Sequence, residues 1–61
     1  MMLISGHEMS KLITSGHDMK DVTFALCAVA MSDLDGAIVL LEDQGHEASA
    51  EVLRDLMEMR S

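Results

Sequence analysis

Residues 22–31 read VTFALCAVAM, ten positions of which only Thr23 is polar. A helix that is apolar on every side is expected to be buried on every side. Ten residues fall well short of the roughly 20 needed to cross a bilayer, and no basic flank of the signal-peptide kind accompanies them. The segment is therefore expected to form the central helix of a small fold or the seam between copies of the chain. No membrane role is expected.

The rest of the 61-residue chain supports a helical reading. No segment alternates with period two, and proline is absent. Three Ser-x-x-acid signatures suggest helix starts: Ser5 with Glu8, Ser15 with Asp18, and Ser32 with Asp35. In each, the hydroxyl can accept from an unpaired helix N–H, and the acid suits the positive end of the helix dipole. Gly16 and Gly45 fit C-terminal stops, because glycine reaches left-handed φ without a Cβ penalty. Helices are expected at about 7–14, 18–31, 33–44 and 47–60. The motif Ile4-Ser5-Gly6-His7-Glu8-Met9 is echoed ten residues on by Thr14-Ser15-Gly16-His17-Asp18-Met19. One such echo is too short to indicate a solenoid.

The expected architecture is all-α, with three or four short helices in one small domain over residues 1–61. Its parts are a short N-terminal segment (1–17), the apolar central helix (18–31) and a C-terminal antiparallel helical hairpin (33–60). A chain this short rarely buries enough apolar surface to stand alone, and its single cysteine, Cys27, has no partner for a disulfide. A dimeric helical bundle is therefore expected. Its core or seam would draw Val22, Phe24, Leu26, Val29 and Met31 from the central helix. The last helix would add Val52, Leu53, Leu56 and Met57. Cys27, lacking an electropositive neighbour, reads as a small buried hydrophobe.

Charge is unevenly distributed. Residues 1–31 hold three acidic side chains against two basic ones, whereas residues 32–61 hold eight against two, giving most of the net −7. Clustered Lys and Arg are what phosphate contacts require, so nucleic acid is not the expected partner. On the last helix Glu47, Glu51, Asp55 and Glu58 fall within an arc of about 80°, opposite the apolar face. Arg54, in the same arc, can pair with Glu51 or Glu58. The stripe serves either as a solvated face or as a docking surface for the basic surface of another protein.

Chemistry-bearing motifs are weak. Asp33, Asp35, Gly36, Ile38 and Glu42 match a calcium loop in type, but Met31 would occupy its first ligand position, so a capped helix start is the better reading. His7, His17 and His46 each follow a glycine near a helix boundary and suit polar helix termination with some pH sensitivity. Nothing in their spacing demands zinc. No nucleophile elbow, phosphate loop or HExxH motif is present, so no catalytic residue, cofactor or metal is expected. Met31 and Met57 are expected in the core. Met1, Met2, Met9, Met19 and Met59, nearer element ends, could line an adaptable surface.

In size, acidity and lack of catalytic motifs the chain resembles the small acidic all-helical early and accessory proteins of temperate bacteriophages. That resemblance implies a cytoplasmic, non-enzymatic regulator that binds a host protein. The alternatives are a helical transcriptional regulator associated with nucleic acid, and a structural oligomerisation module.

Overall fold

The computed structural model describes residues 4–61, and these are all-helical, without strands. Four helices follow in order: α1 (Gly6–Thr14), α2 (Met19–Met31), α3 (Leu34–Asp43) and α4 (Glu47–Arg60). Each boundary lies within one residue of the expected one. The cause of two starts is different, however.

Ser5 caps α1 as the sequence suggests. Its hydroxyl accepts from the Glu8 N–H at 3.2 Å, and the Glu8 carboxylate accepts from the Ser5 N–H at 3.1 Å. Ser15 does not cap α2. It ends α1, its hydroxyl donating to the Lys11 carbonyl at 2.7 Å, and the chain then turns through Gly16 at φ +93°. Asp18 is the cap of α2, accepting from the Lys20 N–H at 3.0 Å. Ser32 likewise ends α2, and Asp33 caps α3 by accepting from the Gly36 N–H at 2.7 Å. In both places a serine committed to the preceding helix leaves an adjacent turn to an aspartate, whose charge also suits the positive helix end. The echoed motif therefore takes two conformations, because its first copy only opens a helix, whereas its second closes α1 at Ser15 before opening α2 at Asp18. Since α3 begins at Leu34, residues 33–42 do not form a calcium-type loop.

The core is built around α4, which packs against each of the other helices. Leu12 of α1, Val22, Ala25, Ala28 and Val29 of α2, and Ala37 and Leu41 of α3 meet Ala50, Val52, Leu53 and Leu56 of α4. Ala25, Ala37 and Ala50 are wholly excluded from solvent, one from each of three helices. Small side chains at these points let the helices approach closely.

Helix α2 is not buried on every side within one chain. Val22 and Val29 are buried and Leu26 is half-buried, but Phe24 is 44% exposed and Met31 82% exposed. Cys27 is also exposed, contrary to its reading as a buried hydrophobe. With three neighbouring helices contacting one arc of α2, nothing among the described residues covers the other arc. Met57 is half-buried, and Met9 is half-buried against the core; Met1 and Met2 lie outside the described residues.

Candidate functional site

Two surfaces of unlike chemistry emerge from this packing. The first runs along α4, where α1 leans against it. Lys11 and Ser15 of the α1 end, with Asp55, Glu58 and Met59 of α4, line an open groove of about 390 Å³. Val52, Leu53 and Leu56 turn inward, so the carboxylates of α4 fall on its outer arc.

These carboxylates are not equivalent. Asp55 is half-buried, its Oδ2 lying 2.5 Å from Nε2 of His17, which reaches over from the α1–α2 turn. Glu51 accepts from Nη1 of Arg54 at 3.2 Å, and the same guanidinium bridges to Glu42 of α3. Arg54 therefore ties α4 to α3, where the sequence suggested only partners on its own helix. Glu47 and Glu58 are exposed and carry no ion-pair partner among the described residues. At the far end Arg60 forks onto Glu8, donating from Nε to Oε2 at 2.6 Å and from Nη2 to Oε1 at 2.9 Å. With the Ser5 N–H also donating to it, the Glu8 carboxyl is held down to about 2 from an ordinary 4.5. The Arg60 guanidinium is correspondingly held more firmly in its charged form by Glu8.

Of the three histidines, His17 meets Asp55, while His46 precedes α4 and lays its ring 4.5 Å from that of Phe24. His7 is exposed in the first turn of α1. His46 provides no side-chain cap to α4. His17 and Asp55 stand 38 residues apart, and no local spacing pointed to their pairing. The Ser15 hydroxyl, two residues before His17, is directed to the Lys11 carbonyl. No group of three or more His, Cys, Asp or Glu side chains fit to hold a metal ion occurs among the described residues.

The second surface is an apolar groove of about 330 Å³ between α2 and α3. Phe24, Cys27, Ala28 and Met31 form one wall and Leu40, Leu41 and Gln44 the other. Of the residues expected in the core or seam, Val22, Val29, Val52, Leu53 and Leu56 lie in the core, while Phe24 and Met31 stand at this groove. No helix of the described residues is long and apolar enough to cross a membrane. Comparison with known protein families, characterised proteins and solved structures finds no match to this chain.

Proposed function

We propose that this chain is a small, acidic, non-enzymatic regulator that binds and modulates another protein, docking the outer arc of α4 on a basic surface. In this reading α3 and α4 form an antiparallel hairpin within a dimeric helical bundle. The setting is the cytoplasm, as the likeness in type to temperate-phage accessory proteins implies. The observation that carries the proposal is how the charge is disposed. Both arginines of the acidic half are drawn into pairs within the chain, with Glu42 and Glu51 for Arg54 and with Glu8 for Arg60. Glu47 and Glu58 are left exposed, with Glu51 and Asp55 between them along the helix. A field of one sign steers a partner of the opposite sign and sets its orientation.

The test is capture of a basic protein from a lysate of the cells that make this chain. Glu47→Lys with Glu58→Lys reverses two carboxylates that make no ion pair within the described fold. Because Glu47 opens α4, where an acid suits the helix dipole, circular dichroism of the double variant is read alongside to show that the helix is kept. Capture by the wild type should weaken with added salt, and the double variant should lose it. Equal capture by both forms would remove the acidic arc from the function.

A further inference from the structure

We infer that the α2–α3 groove is the surface on which a second copy of this chain docks, the two α2 helices crossing antiparallel about a two-fold axis beside Cys27. The inference rests on the dimer reading above and assigns its interface. Phe24, Cys27 and Met31 recur at intervals of three and four residues, which places them in one row along α2. Leu40 of α3, 38% exposed, flanks that row across the groove. The His46 ring packs against one side of Phe24, which leaves the apolar row facing outward.

Charge selects the occupant. Phe24, Cys27, Met31 and Leu40 stand exposed along the groove. None of its lining residues is charged at neutral pH, in a chain of net charge −7. Two copies repel wherever their acidic surfaces meet, so a charge-free face is where they can approach. A basic partner would instead be drawn to the arc of α4. In an isologous contact each patch meets itself. The antiparallel crossing sets Phe24 of each copy against Met31 of the other, a favourable sulfur–aromatic pair, with the two Cys27 side chains near the axis.

Sedimentation of the wild type, Met31→Glu and Val39→Glu, with Cys27 as a built-in reporter, tests this assignment. Val39 is 64% exposed on α3 but does not line the groove, so its variant controls for added charge alone. At micromolar concentration the wild type and Val39→Glu should sediment at twice the 6.7 kDa of one chain. Met31→Glu should dissociate about a hundredfold more readily with its helical circular dichroism intact, since it would bury an unpaired charge. Labelling of Cys27 by a thiol reagent should slow as the protein is concentrated, and a short bismaleimide should join two chains. A wild type that stays monomeric overturns the dimer reading and this assignment with it. A dimer that Met31→Glu leaves intact, with Cys27 equally reactive at all concentrations, overturns the groove alone.

Discussion

Helix α4 buries its apolar side chains and exposes its charged ones, whereas α2, apolar on both faces, buries Val22, Ala25, Ala28 and Val29 and exposes Phe24 and Met31. On α4, Leu53 and Leu56 are wholly buried while Glu47, Glu51 and Glu58 face solvent. On α2, Ala25 and Ala28 are buried while Phe24, Cys27 and Met31 are not. Water decides the orientation of α4, because only one of its faces loses free energy by leaving solvent. For α2 both faces are apolar, and volume decides instead: the alanine face lets the neighbouring helices come close. The other half of α2 is then left exposed among the described residues.

The largest effects should come from changing volume on these two inner faces. Leu53→Ala leaves a cavity where α4 meets its neighbours and should cost about 2–5 kcal/mol, enough to unfold much of so small a protein. Ala25→Leu adds an apolar side chain to an apolar helix, a change that hydropathy alone would pass as harmless. Because Ala25 is wholly enclosed, overpacking should cost about 1–3 kcal/mol. Urea unfolding measures both. An Ala25→Leu protein as stable as the wild type would mean that volume does not orient α2.

That contrast also explains how much was legible in the residue order. The period of α4 marks both its inner face, Val52, Leu53 and Leu56, and its acidic arc. The composition of residues 22–31 marks a helix but carries no direction, so it cannot tell the buried Val22, Ala25, Ala28 and Val29 from the exposed Phe24, Cys27 and Met31. Helix ends were readable to within a residue. Their caps were less so, because Ser15 and Ser32 each stand where one helix closes and another opens. Pairings such as His17 with Asp55 and Arg60 with Glu8 join residues 38 and 52 apart in sequence. Only the packing of α1 on α4 brings them together.

A smaller effect sharpens what the two long helices share. Each follows a glycine with positive φ, Gly16 at +93° before α2 and Gly45 at +81° before α4. An added Cβ would meet no atom within 4 Å at either site, so any cost of substitution is conformational. Gly16→Ala and Gly45→Ala should each lose about 1 kcal/mol in urea unfolding. Loss at only one site would show that one of the two turns can relax into another conformation.

The smallest effect concerns the clamp that closes α1 onto the end of α4. Glu8 is held down to about 2 by Arg60 and the Ser5 N–H, against an ordinary value of 4.5. A carboxyl lowered on folding stabilises the fold fully above its unfolded value and loses that contribution as pH falls through its folded value. Glu8→Gln keeps an oxygen that can accept from Ser5 and removes the charge that Arg60 grips. The wild type should therefore exceed Glu8→Gln in stability at pH 7 by a constant margin down to about 4.5. That margin should shrink between 4.5 and about 2 and vanish below, because the protonated carboxyl then resembles the amide. The pair lies at the surface, so added salt should narrow the margin at neutral pH as well. Thermal unfolding of both proteins across this pH range reads the margin directly. A margin unchanged from pH 7 to pH 2 would mean that α1 is held to α4 by the packing of Leu12 and not by charge.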